Sequence, residues 1–206
     1  MNFDEIKLYL PKFLSSESEK QLFEGLRDFP QNLDSRLYTS ALKNSKNIFQ
    51  GDGIKDLLVI NLPNTTVKEV KSMIFSNTCD VDTSNIRNFQ SQIVYAPIFS
   101  LQKYKQSLID NSSKNESEIS SHIKAIKEQR ITQIFYLPKI NNIIEDSIIF
   151  LDRVNNCSQD FIKSKDLIKD RLFTLSDYGS YLFVLKLSIH FSRIKDNVDR
   201  VAGDIK

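Results

Sequence analysis

Three short apolar runs between residues 50 and 100 constrain the fold of this 206-residue chain most strongly. They lie at 56–60, 72–75 and 91–98, and turn-forming residues separate each run from the next. Apolar runs of this length, bounded by turns, are typical of β-strands. Because the runs follow one another so closely, we expect a small barrel or a curled antiparallel sheet.

Helical patterns lie before this β-rich segment and also interrupt it. We interpret residues 1–44 as a helical lead-in, in which apolar side chains recur at helical spacing. The β pattern stops at residues 101–130, where Ile119, Ile123 and Ile126 form the apolar stripe of a helix. The sequence therefore predicts a helical insertion within the β-rich core.

The rest of the chain returns to strands and then ends in helices. Residues 133–137 and 146–151 predict two further strands. A short helix is expected at 158–169, and a long terminal helix begins after Ser176, which is a good N-cap. Apolar side chains lie on most sides of this last helix, as in a helix that is buried or covers a partner. We expect a single domain with three parts: a helical lead-in at 1–44, a core at 45–157 and C-terminal helices at 158–206.

Composition excludes several classes of protein. The chain has 28 basic and 26 acidic residues, and its net charge of +2 is too small to indicate nucleic-acid binding by itself. Cys79 and Cys157 are the only cysteines, too few for a disulfide framework. Two histidines and two cysteines without ligand spacing predict no metal, and we expect no cofactor. No signal peptide or membrane span is recognisable, so we expect a cytoplasmic protein.

A polar loop after the second apolar run is the first candidate binding site. It contains Asn77, Asp80, Asp82, Asn85 and Arg87. In one interpretation, Asp80 orients Arg87, and Arg87 binds a phosphate or a partner. In the other, the Asn and Asp side chains are turn residues that hydrogen-bond their own backbone. The sequence leaves both interpretations open.

Other reactive or basic residues carry weaker signals. Cys79 could act as a nucleophile beside a histidine, but nothing in the sequence places His122 or His190 near it. Basic residues at 103–105 flank Tyr104, whose ring could stack on a base. A second basic cluster lies at 163–171. Runs of this kind are most often solvated faces of helices, and we keep that interpretation beside the functional one.

Five short motifs, taken together, resemble a known family. In chain order they are Gly51-Asp52, Leu62-Pro63, the run Ser72-Met73-Ile74-Phe75-Ser76, Tyr95-Ala96-Pro97-Ile98 and Leu151-Asp152-Arg153-Val154. Their order resembles the MazF/PemK family of small SH3-like barrel proteins from bacterial toxin–antitoxin modules. The resemblance covers about residues 48–157 and leaves one large insertion. It implies an α+β fold: a small SH3-like antiparallel β-barrel with N-terminal helices, an inserted helix and a long C-terminal helix.

The resemblance also implies an activity, a pair of catalytic residues and a set of partners. The family cuts single-stranded RNA without a metal, usually as a dimer. Its catalytic Arg falls on Lys71 and its Thr falls near Ser100, so these two residues are the implied catalytic pair. Lysine cannot form the two parallel hydrogen bonds to a phosphate that arginine forms. The expected partners are RNA and either a protein partner or a second copy of the chain, and not a membrane.

Three functions follow from these observations. The first is a metal-independent endoribonuclease of a toxin–antitoxin or antiphage defence system, with a degenerate active site. The second is a non-catalytic interaction subunit of a defence or signalling operon, built on the same barrel, in which the inserted and terminal helices bind a protein. The third is an RNA-binding protein without a toxin role, whose RNA affinity depends steeply on salt.

Overall fold

The computed structural model describes residues 36–82, 85 and 88–192, and within these ranges it contains eight strands and six helices. The strands are Tyr38–Thr39 (β1), Gly53–Asn61 (β2), Asn64–Ile74 (β3), Gln92–Ser100 (β4), Ile134–Leu137 (β5), Ser147–Phe150 (β6), Asn155–Ser158 (β7) and Arg171–Leu175 (β8). The helices are Thr78–Val81 (α1), Leu101–Asn111 (α2), Glu116–Lys127 (α3), Gln159–Lys163 (α4), Leu167–Asp170 (α5) and Asp177–Ser192 (α6).

All eight strands form one antiparallel sheet in the order β1-β8-β2-β3-β4-β6-β5, and β7 also pairs with β4. β2 and β3 form a long hairpin, in which Gly53 pairs with Met73 and Asn61 with Asn64. β6 and β7 follow each other along β4: β6 pairs with its last three residues, and β7 with its first four. The fold is therefore a mixed α/β structure organised around β4.

The sheet does not close into a barrel, although side chains bridge the gap between β2 and the β4–β7 pair. Tyr95 Oη donates a 2.5 Å hydrogen bond to the carbonyl oxygen of Leu58 in β2. The backbone N–H of Ile60, also in β2, donates to Asn155 Oδ1 in β7 at 2.9 Å. Two side-chain hydrogen bonds thus occupy the position at which a backbone ladder would close the barrel.

Both faces of the sheet centre are buried. Successive residues of a strand point to opposite faces, and neighbouring residues here belong to different cores. On β3, Met73 belongs to one core and Ile74 to another; on β4, Ala96 and Tyr95 divide in the same way. The first core lies under α6. The second core is enclosed by the curved part of the sheet, α1 and α4. A third core lies between the sheet and the helices α2 and α3.

Helix α6 packs closely on the sheet because of a glycine. A Cβ atom on Gly179 would lie 2.2 Å from the backbone oxygen of Leu37, which is too close for any larger residue. Ser176 caps this helix, since its Oγ accepts a 3.1 Å hydrogen bond from the N–H of Gly179. None of the helices in the described ranges is long and apolar enough to cross a membrane.

The predicted strands and the terminal helix are confirmed, with different bounds. The runs at 56–60, 72–75 and 91–98 lie in β2, β3 and β4; those at 133–137 and 146–151 correspond to β5 and β6. α6 begins directly after Ser176, as predicted. The insertion at 101–130 contains two helices, α2 and α3, where one inserted helix was expected, and both pack on the third core.

Other predictions need correction. The strand pattern predicted a small barrel or a curled antiparallel sheet, and the sheet is open between β2 and β7, so the closed barrel that the family resemblance implies is not formed by backbone pairing. The expected helix at 158–169 is two short helices, α4 and α5, each with its own side-chain cap. Residues 36–44 form β1 and turns rather than the predicted helical lead-in, whose remainder lies outside the described residues.

Candidate active site

The implied catalytic residues Lys71 and Ser100 lie on the neighbouring strands β3 and β4, and both contact backbone. Lys71 is exposed, and its Nζ donates to the carbonyl oxygen of Ile143 at 3.3 Å. Ser100 is the N-cap of α2, because its Oγ accepts from the N–H of Lys103 at 3.3 Å. Within the described residues, no hydrogen bond joins Lys71 to Ser100. Their catalytic role remains a prediction.

In the polar loop after β3, Asn77 makes a contact of the kind that the turn interpretation expects. Asn77 caps α1, and its Oδ1 accepts from the N–H of Cys79 at 2.9 Å. Asn85 Nδ2 donates to the carbonyl oxygen of Cys79 at 2.7 Å. Asp80 and Asp82 are exposed. Arg87 lies outside the described residues, so the proposed pairing of Asp80 with Arg87 stays a prediction.

The two cysteines differ in environment. Cys79 is exposed on α1, whereas Cys157 in β7 is half-buried beside Tyr95. Burial raises the pKa of Cys157 to about 11, against the opposing effect of a hydrogen bond with Tyr95. His190 lies on α6 with its ring 4.9 Å from that of Phe191. Neither His122 nor His190 has a described contact with Cys79, and the structure adds no support for a cysteine nucleophile.

A different group of side chains meets where α2, α3 and the end of β6 come together. Tyr104 Oη on α2 lies 3.1 Å from His122 Nε2 on α3. Arg153, which follows β6, lies over two aromatic rings: its guanidinium carbon is 4.2 Å from the ring centre of Phe150 and 5.4 Å from that of Phe99. We refer to these five residues as the Tyr–His–Arg cluster.

Helix caps and buried side chains hold the two helices of this cluster in place. Ser100 caps α2 directly at the end of β4, and Leu101 is buried in the third core. α3 begins with a capping box, in which Asn115 and Glu118 satisfy each other's backbone N–H groups. Ile126, fully buried on α3, fixes that helix on the sheet. Tyr104 and His122 face each other because these anchors set the position of both helices.

Burial shifts the pKa values of two residues in the cluster, Tyr104 and His122, in opposite directions. It raises the pKa of Tyr104 from its usual value, and the charge of Arg153 opposes this shift. Burial also lowers the pKa of His122 from 6.5, and the charge of Lys114 acts in the same direction. At neutral pH, His122 is therefore a neutral imidazole, Tyr104 is a neutral phenol and Arg153 is a cation.

A proton acceptor, a hydroxyl donor and a fixed cation are the groups that acid–base cleavage of a phosphodiester needs without a metal. Arg153 is exposed, and its guanidinium can form two parallel hydrogen bonds to a phosphate. In the residues that the structure describes, no group of three or more His, Cys, Asp or Glu side chains is arranged to hold a metal ion. The cluster thus combines groups that are suited to acid–base chemistry on an anionic substrate.

Sequence reasoning named Tyr104 and His122 separately but did not bring them together. Arg153 was noted only as part of the motif at 151–154. The three residues lie on different elements, and no spacing pattern connects them. The available signal was the presence of a Tyr and a His on two helices of the same predicted insertion.

Comparison with known protein families found no family model that matches this chain, and no curated protein matches it.

Proposed function

We propose that this chain is a MazF/PemK-like, metal-independent endoribonuclease of a bacterial toxin–antitoxin or antiphage defence system, with Tyr104, His122 and Arg153 acting on RNA. One observation carries the proposal: the 3.1 Å contact between Tyr104 Oη and His122 Nε2, with the guanidinium of Arg153 beside the same ring cluster. The chemistry of the family would then be performed by side chains from the insertion and not by Lys71 and Ser100.

The sheet supports the family-like part of the proposal. An SH3-like barrel is a small, strongly curved antiparallel sheet, and strands β2, β3, β4 and β7 enclose a common apolar core. The hydrogen bonds from Tyr95 to Leu58 and from Ile60 to Asn155 bring the two open edges into contact. We propose that this part of the chain is a divergent SH3-like barrel that is closed by side chains.

The proposed reaction is an internal transesterification of RNA. The 2′-hydroxyl proton passes to Tyr104 Oη while the Tyr104 proton passes to His122 Nε2. The 2′-oxygen bonds to phosphorus and the bond to the 5′-oxygen breaks. The 5′-oxygen takes a proton from solvent, and the imidazolium later returns its proton to solvent. Arg153 stabilises the negative charge on the phosphoryl oxygens. The products are a 2′,3′-cyclic phosphate and a 5′-hydroxyl.

Arg153 now lies on the rings of Phe99 and Phe150, which keeps it beside the Tyr–His pair. A cation on an aromatic face at an exposed site is held by about 0.5–1 kcal/mol. A charge-assisted contact to phosphate is stronger, so the guanidinium can turn to the substrate at little cost. The ring faces that it leaves are suited to stack on an RNA base.

The experiment is a cleavage assay on single-stranded RNA in the presence of a metal chelator. We expect cleavage products with 2′,3′-cyclic phosphate ends, and no cleavage of RNA whose 2′-hydroxyls are replaced by hydrogen. His122→Gln and Arg153→Gln should each lower the rate by about 100-fold or more. Activity should rise with pH as His122 loses its proton, with a midpoint below 6.5 because the pKa of His122 is lowered.

Lys71→Ala is the comparison variant, because Lys71 is exposed and bonds only a backbone carbonyl among the described residues. If the Tyr–His–Arg cluster is the active site, Lys71→Ala keeps most of the activity. Loss of cleavage in Lys71→Ala with full activity in His122→Gln would instead assign the chemistry to the site that the family resemblance implies. No cleavage by the folded wild type, even at high protein concentration, would remove the ribonuclease proposal altogether.

The second candidate function is a non-catalytic interaction subunit, and an exposed apolar strip on the β2–β3 hairpin favours it. Leu62 and Val67 are 72% and 54% exposed, and Leu58 and Ile60 on the same hairpin are also exposed. Apolar strips of this kind often mark protein interfaces. Light scattering after size exclusion tests it: Ile60→Lys should convert a wild-type dimer into a monomer. A wild type that is strictly monomeric and captures no partner would contradict this function.

A further inference from the structure

A cavity of about 360 Å³ opens at one end of the second core. It lies between the loop at 46–49, helix α1 and the two short helices α4 and α5. Cavities that bind small molecules usually measure roughly 300–1,000 Å³ and combine apolar walls with a few polar groups. This cavity has that size, and no residue of the Tyr–His–Arg cluster lines it.

The inner surface of the cavity is apolar and well ordered by packing. Ile48, Val81, Ile93 and Ile162 all line it, and each is at most 6% exposed. Phe49 adds an aromatic ring that is only partly buried. A ligand here can therefore bury a flat apolar group against aliphatic and aromatic side chains.

The rim carries more positive than negative charge. Lys163 is balanced by Asp160 at 3.3 Å, and the rim residue Asp166 is balanced by Lys169, also at 3.3 Å. Lys165 donates to the neutral carbonyl oxygen of Asp56 at 2.8 Å, so its charge is not compensated there.

Two further rim residues complete the balance. Lys46 is exposed and makes no ion pair among the described residues, whereas Asp82 carries a negative charge. With the two balanced pairs set aside, Lys46 and Lys165 outnumber Asp82 by one. The rim is therefore suited to an anionic group.

A buried ion pair holds the loop wall of the cavity in place. Arg171 Nη1 donates to the carbonyl oxygens of Leu42 and Ser45 at 3.1 and 2.7 Å, and its Nη2 donates to that of Asn47. Asp52 accepts from Arg171 Nε at 3.1 Å and from the N–H of Phe49 at 2.9 Å. These contacts fix residues 42–49 before any ligand binds, so little ordering cost falls on binding.

We propose that this cavity binds a 5′-mononucleotide. Its phosphate contacts the ammonium groups of Lys46 and Lys165, and its base packs against Phe49 and the apolar floor. The amides of Asn47 and Gln159, which also line the cavity, provide donors and acceptors for the edge of a base. This site is independent of RNA cleavage at Tyr104 and His122, and its test is a direct measurement of binding.

The test is isothermal titration calorimetry of the full chain with adenosine 5′-monophosphate, adenosine and inorganic phosphate as separate probes. We expect the nucleotide to bind at least about tenfold more tightly than either adenosine or phosphate, because it fills both the apolar floor and the basic rim. Lys46→Glu should weaken nucleotide binding by about tenfold or more, since it reverses the charge of an exposed residue that makes no ion pair within the described ranges. Lys68→Glu is the matched control on β3, because this exposed lysine makes no ion pair among the described residues and does not line the cavity, and it should bind the nucleotide as the wild type does.

Three results would overturn the proposal. The first is adenosine binding as tightly as its monophosphate, which would show that the lysines do not contact a phosphate. The second is a Lys46→Glu variant that is folded and binds like the wild type. Inorganic phosphate binding as tightly as the nucleotide would also contradict it, because the apolar floor would then contribute nothing. RNA cleavage by Lys46→Glu should equal that of the wild type, so the two proposals fail or succeed separately.

Discussion

Two buried cations, Arg171 in β8 and Lys186 in α6, are stabilised in opposite ways. Arg171 has a side chain only 2% exposed, and its Nε contacts the fully buried carboxylate of Asp52. Lys186 is 6% exposed, but its Nζ contacts neutral acceptors: Gln129 Oε1 at 2.9 Å and the carbonyl oxygen of Ile134. One cation is therefore paired with a charge, and the other is surrounded by neutral groups.

The difference follows from the chemistry of the two side chains. Guanidinium does not lose its proton in proteins, so a buried arginine needs an opposite charge and enough acceptors. Lysine can lose its proton, and burial lowers the pKa of Lys186 to about 7. A buried lysine can thus avoid most of the cost of a buried charge by becoming a neutral amine.

Each of the two side chains also donates hydrogen bonds to backbone carbonyl oxygens that have no partner in the sheet. Arg171 donates to three carbonyl oxygens in the turns at 42–47 and so fixes the loop wall of the cavity. Lys186 and Gln129 bond the outer edge of β5, where Gln129 also exchanges hydrogen bonds with both backbone groups of Tyr136. A buried edge strand needs such partners, because unpaired backbone groups away from water are costly.

Removing the charged partner of Arg171 should have the largest effect on stability. Asp52→Ala leaves a buried guanidinium without its counter-charge and removes the acceptor for Thr174 Oγ1, which donates to Asp52 Oδ1 at 2.6 Å. We expect the free energy of unfolding to fall by about 3–5 kcal/mol. Urea-induced unfolding, followed by circular dichroism, measures this change.

The double variant Asp52→Leu with Arg171→Met is the control for the origin of that loss. It replaces both charges with apolar groups and removes the uncompensated guanidinium, so it should be more stable than Asp52→Ala. If the double variant is less stable than Asp52→Ala, the loss does not come from an unpaired buried charge. The hydrogen bonds of Arg171 to the loop at 42–47 would then be the main contribution.

Lys186 should make stability depend on pH in the opposite sense to a lysine in an ion pair, whose pKa is raised by its partner. Its pKa of about 7 in the folded protein lies below that of an unfolded lysine, so the unfolded chain binds more protons between these values. Stability should therefore rise as the pH increases from about 7 to about 10, by a few kcal/mol. Below pH 7 both states are protonated, and this contribution no longer changes.

Lys186→Met isolates the contribution of Lys186. The variant loses the hydrogen bonds to Gln129 and Ile134 but carries no buried amine to deprotonate. Near pH 7 it should be more stable than the wild type by about 1–2 kcal/mol, and near pH 10 it should be less stable by about 1–2 kcal/mol, because only the wild type gains a few kcal/mol between these pH values. If the difference between the two proteins does not change with pH, then the pKa of Lys186 is not lowered in the folded state.

Thr174 tests how much of the Asp52 site depends on groups other than Arg171. Burial raises the pKa of Asp52, and the Thr174 hydroxyl, the charge of Arg171 and the N–H of Phe49 oppose that effect. Thr174→Val keeps the shape of the side chain and removes one donor, so we expect a loss of about 2 kcal/mol. Thermal unfolding of Thr174→Val and Thr174→Ser compares the two, and the serine variant should recover part of the loss. A larger loss in the serine variant than in the valine variant would show that packing of the Thr174 methyl group matters more than the hydroxyl.

The sequence predicted the elements that are apolar and missed those that depend on distant partners. β7 consists of Asn155, Asn156, Cys157 and Ser158, and nothing local marks it as a strand; it forms because β4 supplies its backbone partners. The polar first half of β3 was missed for the same reason, since it pairs with β2 in a hairpin that extends away from the core. Whether the sheet closes also depends on contacts between distant residues, and no local pattern contains that information.

The candidate sites show the same limit. Tyr104, His122 and Arg153 are 18 to 49 residues apart in sequence and meet only after the insertion folds on the third core. Most partners of Asp52 and Lys186 are also distant in sequence: Arg171 lies 119 residues from Asp52, and Gln129 lies 57 residues from Lys186. Sequence could identify Asp52 as part of a turn before a strand. It could not show that this carboxylate is buried against an arginine.

An exposed ion pair gives the smallest expected effect and completes the comparison. Lys163 Nζ lies 3.3 Å from Asp160 Oδ1 on α4, and the two side chains are 47% and 70% exposed. Water and salt screen such a pair, so Lys163→Ala should change the free energy of unfolding by less than about 1 kcal/mol. The measurement is the same urea titration that is used for Asp52→Ala. If Lys163→Ala costs as much as Asp52→Ala, burial is not what separates the two ion pairs, and the explanation given for Arg171 fails with it.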